Sequence, residues 1–431
     1  MRRREWQTLA LSLALLAPVP ALAAAEPAST AQSNEQNSDR VTAQDLFDEV
    51  IYELALNYNG TSPLRAQDLR ERFLPRAEAL CAGRSVCDSK LAYPLIGQVL
   101  RELHDEHTNF FSPQEWNSIN LASAGEVDQA SFGVVVRTVL GQGVLVTEVI
   151  PGSPAALAGL QPGDLLTRLD RLPLRGLWGE DKLAAAGRSG REVKLTYTRA
   201  GRPGQAELAG RPFVTPPVSL DLLDDHTALI RLRNFDRDGV AQDLHNALRR
   251  AQQQGATRAV LDLRGNPGGY VTETLLSTGA LTDPAPLRKV ERSSSQTLSY
   301  QQGRYLVDGQ PQRGQRVFKP QRFSGPLAVL IDGDSASGAE FMARDLLTRP
   351  QTVVLGRPTA GLADTSTIVL DLADGSGLQV TTAKMQSVLG QPLGARVQPQ
   401  VPLQRDDRAF IRTGQDPELQ AALRALNRLG L

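Results

Sequence analysis

The strongest constraint on this chain is a pattern that occurs twice in its second half: a short apolar run ends abruptly in glycine-rich turn residues and then takes up helical periodicity. Ala259-Val-Leu-Asp-Leu263 runs into Arg264-Gly-Asn-Pro-Gly268-Gly269, with a helical pattern around Val271–Leu281. Val329-Leu-Ile331 likewise runs into Asp332-Gly-Asp-Ser335-Ala-Ser337-Gly338, and Ala339–Leu347 is again helical in period. Thr227–Leu232 and Ala259–Leu263 bracket a helical stretch at Val240–Gln254, so the region predicts β–α–β units of an α/β fold. N–H groups at such a helix start can face developing negative charge, and adjacent glycines let the main chain approach a ligand closely. No Gly-Lys-Ser/Thr follows the first turn, and its spacing fits neither a phosphate loop nor a dinucleotide fingerprint.

On residue type alone, a serine in the second turn is either a nucleophile or a helix cap. The order of motifs separates the two. Asp262-Leu-Arg264-Gly-Asn266-Pro-Gly268-Gly269, then Ser335-Ala-Ser337-Gly-Ala-Glu340, then Val354-Leu-Gly356-Arg-Pro-Thr359-Ala-Gly361 resembles the carboxyl-terminal processing peptidases, peptidase family S41. The resemblance implies a ClpP/crotonase-like α/β catalytic core and a serine peptidase whose nucleophile is Ser337 rather than Ser335. It also implies an oxyanion hole made by the N–H of Gly338 and one from the double-glycine turn, assigned to Gly268. Two such donors supply several kcal/mol of transition-state stabilisation.

One departure bears on mechanism. The bacterial processing branch places a lysine base after Gly-x-x-Thr-x-Gly, where this chain has Leu362, and the glutamine four residues on is replaced by Ser366. The six lysines stand at 90, 182, 194, 289, 319 and 384, outside that segment. Another base must activate the hydroxyl. Of the four histidines, His104, His107, His226 and His245, His107 occupies the histidine position of a family-like segment. Leu103-His104-Asp105-Glu106-His107-Thr108 resembles the Leu-x-Asp-Gly-His-Thr of the tricorn-like branch, with Glu106 in place of glycine, and implies His107 as base. That branch's late glutamate has no counterpart in Leu393-Gly-Ala-Arg396-Val-Gln-Pro399-Gln400, so the orienting acid stays open; Glu340 reads as a supporting polar group or a charge at a helix start. The His104/His107 pair lacks the further ligands of a zinc site, and neither metal nor cofactor is expected.

The rest of the chain divides readily. Residues 1–25, with Arg2-Arg3-Arg4, the apolar run Leu9–Ala17 and Ala21-Leu22-Ala23, read as an export signal; 26–40 read as a disordered linker. The apolar run is too short for a membrane span. Residues 41–118 form an expected N-terminal helical domain that delivers His107, 125–211 a PDZ domain and 212–431 the peptidase core. The PDZ resemblance rests on Phe132-Gly133-Val134-Val135 and on Val149-Ile-Pro151-Gly-Ser-Pro-Ala-Ala-Leu-Ala-Gly159-Leu-Gln-Pro-Gly163-Asp164. It implies that Phe132, Gly133 and Val134 hold an extended peptide and its terminal carboxylate. Within the core, the polar stretch Glu291–Gln321 suggests two strands or a flap, Ile368–Leu372 and Leu378–Met385 a hairpin, and Pro417–Leu429 a helix.

In an oxidising compartment Cys81 and Cys87 are expected to pair as a disulfide. Forty-seven basic and forty-seven acidic residues cancel, which gives no basis for a nucleic-acid partner. The expectation is an exported serine endopeptidase, periplasmic or extracellular, cutting unfolded or C-terminally exposed proteins with PDZ assistance. The alternative is an inactive peptide-binding protein that retains the fold.

Overall fold

The first helix, α1 (Ala43–Asn57), begins where Thr42 and Asp45 cap each other: Thr42 Oγ1 accepts the Asp45 N–H at 3.1 Å and Asp45 accepts the Thr42 N–H at 3.0 Å. The computed structural model describes residues 41–124, 130–224 and 226–429, so the expected export signal and linker lie outside the described residues. Helices α2 (Ala66–Leu80) and α3 (Tyr93–Glu102) pack on α1, and Leu46, Val50 and Leu54 meet Leu95, Ile96 and Val99 in one buried cluster. A Cys81–Cys87 disulfide closes the loop after α2.

This region is neither wholly helical nor self-contained. Strand β1 (Asn109–Phe111) pairs antiparallel with a strand of the core, Asn109 opposite Gln379, and Leu372, Leu378 and Val380 complete the helical cluster. The hydrophobic pattern of α1 and α3 is therefore satisfied partly by residues more than 250 positions away. Helix α4 (Pro113–Ser123) follows.

Next come β2 (Val134–Val139), β3 (Gly143–Val149), α5 (Pro154–Leu157), β4 (Leu165–Leu169), β5 (Leu172–Pro173), α6 (Gly179–Arg188), β6 (Glu192–Arg199) and β7 (Arg202–Ala209). They make an antiparallel sheet ordered β2-β3-β4-β6-β7, with β5 beside β4, around their own core of Val144, Val146, Leu166, Leu183 and Leu195. This arrangement leaves β2 at an edge.

The core opens with β8 (Val218–Leu222), β9 (Thr227–Leu232), α7 (Val240–Gln253), β10 (Arg258–Asp262) and α8 (Val271–Thr278). Strands β11 (Leu287–Val290), β12 (Ser295–Gln301), β13 (Arg304–Val307) and β14 (Gln310–Arg316) follow, so the polar stretch holds three strands rather than two. The added turn is Asp308-Gly309, with φ of 48° and 76°, the left-handed pair that a two-residue hairpin requires. Then come β15 (Leu327–Ile331), α9 (Gly338–Leu346), β16 (Thr352–Gly356), β17 (Thr365–Asp371), β18 (Gly377–Ser387), β19 (Val401–Pro402), α10 (Asp407–Thr413) and α11 (Pro417–Leu429). One sheet runs β19-β16-β15-β10-β9-β8, parallel except for β8; a second is ordered β1-β18-β11-β12-β13-β14, with β17 paired to β18. The apolar strands β9, β10 and β15 are covered on one face by α7 and α9 and on the other by α11. Burial on both faces explains their unbroken hydrophobic runs.

Candidate active site

Strands β10, β15 and β16 are neighbours in the sheet, so the turns that leave their carboxyl ends converge although they are far apart in sequence. Asn266 joins the first two turns. Its main-chain oxygen accepts the Ala336 N–H at 2.9 Å, its Nδ2 donates to Leu232 O at 2.8 Å, and its Oδ1 accepts the Gly268 N–H at 2.9 Å.

The two serines of the second turn differ. Ser335 is fully buried; its Oγ donates to Leu263 O at 2.8 Å and accepts the Asp332 N–H at 3.0 Å. Ser337 is only partly buried, and its Oγ has no hydrogen-bond partner among the described residues. Its backbone stands at φ 50°, ψ −113°, a region whose occupation by a non-glycine residue costs about 1–3 kcal/mol. Gly268, at φ 98°, lies against it: a methyl group there would sit 2.7 Å from Ser337 Cβ and 2.8 Å from Gly338 N. Gly268, Ser337 and Gly338 are thus brought together. Of the two expected oxyanion donors, the Gly338 N–H has no acceptor among the described residues, whereas the Gly268 N–H is engaged by Asn266. Within the glycine pair it is the Gly269 N–H that lacks an acceptor among the described residues.

Glu340, read from sequence as a supporting or helix-start charge, has a more specific place. It is fully buried, and its carboxylate accepts from Ser337 N (3.0 Å), Leu362 N (2.7 Å), Gly361 N (2.8 Å) and Thr359 Oγ1 (2.5 Å). Four donors compensate the burial of the charge and fasten the Ser337 turn to the one after β16. At the lysine position, Leu362 contributes its main chain to this clamp and an apolar side chain. Lys384 lies on the paired strand β18, its Cα opposite Thr365, with an exposed side chain that makes no hydrogen bond to Ser337.

His107 stands in the turn between α3 and β1. Asp105 orders this turn by accepting the His107 N–H at 2.9 Å and the Thr108 hydroxyl at 3.1 Å, and Thr108 Oγ1 accepts the Thr381 N–H at 3.2 Å, which ties the turn to β18. The imidazole Nε2 is buried without a hydrogen-bond partner. Among the described residues no hydrogen bond links His107 to Ser337, and no carboxylate bonds to its ring. Asp105 carried no signal in the sequence beyond the family-like segment that contains it. The segment lacking the late glutamate is held through its main chain, with Arg344 donating to Leu393 O at 2.7 Å and Ala395 O at 3.2 Å.

The other histidines stand apart. His245 is buried between Leu276 O (3.0 Å) and the Gln321 N–H (2.8 Å), and burial holds its pKa below the usual histidine value; His104 and His226 are exposed. Among the described residues no group of three His, Cys, Asp or Glu side chains could hold a metal ion.

In the β2–β7 region, Phe132 is buried and its carbonyl accepts the Ala155 N–H at 2.9 Å. Gly133 has φ 74°, and its carbonyl accepts from Ile150 N (2.9 Å) and Ser153 Oγ (3.2 Å). Both carbonyls point inward, while the N–H groups of Phe132 and Gly133 have no acceptor among the described residues. Val134 begins the edge strand β2, on which α6 packs. A loop with free donors, an open strand edge and a flanking helix is what strand addition of a peptide requires.

Comparison with known proteins agrees with this architecture. Residues 226–403 match the model of peptidase family S41 and residues 94–209 that of the PDZ domain. A carboxyl-terminal-processing protease of Picosynechococcus is 29% identical over 351 residues, covering 77% of this chain and 78% of that protein. The carboxy-terminal processing protease CtpA of Bacillus subtilis is 26% identical over 331 residues, covering 75% of this chain and 66% of its own length. Among solved structures, one designated an S41 protease, from Bacteroides fragilis, superposes with a TM-score of 0.56 at 17% identity, covering 89% of this chain and 97% of that one. No helix among the described residues is long and apolar enough to cross a membrane. With the Asp262–Gly269, Ser335–Glu340 and Gly356–Gly361 motifs assembled at one end of the sheet, residues 226–403 are a domain of peptidase family S41, a family of serine-type peptidases, and residues 94–209 match a PDZ domain.

Proposed function

We propose that the chain is an exported endopeptidase that cleaves unfolded or C-terminally exposed proteins, with Ser337 as nucleophile and His107 as general base. The observation that carries this reading is the contrast between the serines: Ser335 is buried and doubly bonded, whereas Ser337 sits on a left-handed backbone turn with its hydroxyl free, Gly338 after it in the chain and Gly268 packed against it from the neighbouring turn. Ser337 Oγ attacks the scissile carbonyl carbon as its proton passes to His107. The oxygen of the tetrahedral intermediate takes hydrogen bonds from the Gly338 N–H and one N–H of the 268–269 turn, for which Gly269 is the donor without a competing acceptor. Proton return to the leaving amine gives an acyl-enzyme, and water repeats the sequence to release the acid.

The unpartnered His107 Nε2 supports its assignment, because a buried imidazole nitrogen left without a bond is costly unless a partner arrives during function. Approach of His107 to Ser337 on substrate binding is part of the proposal, since catalytic hydrogen bonds tighten in the substrate complex. The Phe132–Val134 loop and the β2 edge receive the C-terminal carboxylate and strand of the substrate. Residues 1–25 direct export, which fits the Cys81–Cys87 disulfide.

The test is digestion of an unfolded casein-type substrate by the parent, Ser337→Ala and His107→Ala proteins. Both variants should lose cleavage. Undiminished cleavage by either would remove its residue from the mechanism, and no cleavage by the parent, together with tight binding of C-terminal peptides, would favour the binding protein.

A further inference from the structure

We infer that two acidic residues of the C-terminal segment, Asp416 and Glu418, are positioning residues for the active site: through Arg264 and Arg357 they lock the oxyanion turn to the turns that carry Ser337 and Leu362. This inference rests on the reading of Ser337 as nucleophile. Both residues lie beyond the stretch 226–403 that matches the family, and neither touches the reacting atoms.

The network begins in the oxyanion turn. Arg264 donates from Nε to Asp262 Oδ1 at 2.9 Å and from Nη2 to Asp262 Oδ2 at 2.7 Å, so its guanidinium is fixed at the end of β10. Its remaining donors reach the start of α11: Nη2 bonds Asp416 Oδ2 at 2.7 Å and Nη1 bonds Glu418 Oε2 at 2.6 Å. The other oxygen of Glu418 pairs with Arg357, just after β16. Arg357 also bonds Asp332 Oδ2 at 3.2 Å, and Asp332 Oδ1 accepts the Gly265 N–H at 2.9 Å. Asp332 opens the serine turn and meets the Ser335 hydroxyl at 3.3 Å. The circuit closes: oxyanion turn to α11, α11 to the turn after β16, that turn to the serine turn, and the serine turn back to Gly265.

Glu418 is the junction. Its side chain is 8% exposed, and it is the group among the described residues that bonds both arginines across two different turns. Burial by itself would lower the Arg264 pKa, but Asp262 and Asp416 outweigh it and hold it well above the usual value, so the guanidinium stays charged. Buried, bidentate arginine–carboxylate pairs are directional and resist sliding. The backbone they hold is the backbone that must present N–H groups to an oxyanion within a few tenths of an ångström.

The experiment compares Asp416→Asn and Glu418→Gln with the parent and with Gln420→Ala, a substitution on the same helix outside the network. Asp416→Asn retains an acceptor for the Glu418 and Leu419 N–H groups, which Asp416 Oδ1 caps at 2.9 and 3.2 Å, and replaces the Oδ2 acceptor facing Arg264 with an amide donor, so that the charge and the Arg264 hydrogen bond are lost together. It therefore remains informative if Glu418→Gln fails to fold. For each folded variant, kcat, KM, the melting temperature and the rate of fluorophosphonate labelling at Ser337 are measured. We expect kcat and the labelling rate to fall together by about 10- to 100-fold, as for displacement of a catalytic group by a fraction of an ångström, with KM within about threefold of the parent on the same reasoning. Combining Arg357→Ala with Glu418→Gln should cost less than the product of the single effects, because both break one circuit. Parental kcat and labelling in a folded Asp416→Asn protein would overturn the inference, as would losses in kcat that match the loss of folded protein. If Ser337→Ala keeps full activity, the underlying assignment of the nucleophile fails instead, and the two failures are distinct.

Discussion

Replacing Gly268 by alanine tests the site at its tightest point. The glycine has φ 98°, and an added Cβ would lie 2.7 Å from Ser337 Cβ, 2.8 Å from Gly338 N and 3.0 Å from Ala336 O. Holding an L-residue in that conformation costs about 1–2 kcal/mol. Carbon atoms rest at roughly 3.5–4.0 Å, so the two turns must separate by about an ångström, and overpacking of this kind costs about 1–3 kcal/mol more. The two terms predict a stability loss of about 2–5 kcal/mol, measured by urea denaturation. Because the displaced atoms belong to Ser337 and Gly338, turnover of a peptide substrate should fall about 100-fold in the fraction that remains folded. Gly83→Ala is the control: its φ of 70° imposes the same kind of backbone strain, but nothing lies within 4 Å of the added methyl. It should lose only about 1–2 kcal/mol and keep its rate. A Gly268→Ala protein as stable and as active as Gly83→Ala would refute the reasoning.

Three further outcomes follow from named contacts. Glu340→Gln presents an amide nitrogen to at least one of four donors, and should destabilise the protein by about 2–4 kcal/mol in urea while reducing turnover, because Ser337 N is among those donors. Burial raises the Asp345 pKa to about 7, against the weaker lowering effects of the Ala285 N–H and Arg344. The folded protein therefore holds this proton more tightly than the unfolded chain, and stability should fall as pH rises from about 4 through about 7, by on the order of 1–3 kcal/mol; Asp345→Asn should abolish that fall in a pH series of melts. Reduction of the Cys81–Cys87 disulfide, which closes a short loop with a sequence separation of six, should cost about 2 kcal/mol, measured by denaturation with and without dithiothreitol.

Much of the core was legible in the sequence because its signals are local. The buried strands β9, β10 and β15 announce themselves as apolar runs, and the glycine turns mark where each ends. The reading of Ser337 rather than Ser335 as nucleophile rests on motif order, which is also a local signal. What remained hidden depends on contacts between distant residues. The helical region around α1 reads as a separate domain because its periodicity is clean, yet its core is completed by Leu372, Leu378 and Val380. The Asp308-Gly309 turn lies inside a polar stretch with no apolar run after it to mark a third strand, so three strands read as two. Engagement of the Gly268 N–H by Asn266 is a side-chain geometry that no spacing rule reports. Helix α10, seven residues long, is too short to show a period; it is secured instead by Phe410 packing on Leu145 and Leu165 and by the Arg137–Asp407 ion pair.

Fluorophosphonate labelling, with the modified residue mapped and the rate followed against pH, addresses the proposed chemistry with least intervening inference. The parent should be labelled at Ser337 alone, with a rate that rises with pH as the general base takes its unprotonated form. His107→Ala should label at least about 100-fold more slowly and lose that pH dependence. An unlabelled parent, labelling at another residue, or a His107→Ala protein that labels at the parental rate with the parental pH profile would contradict the account.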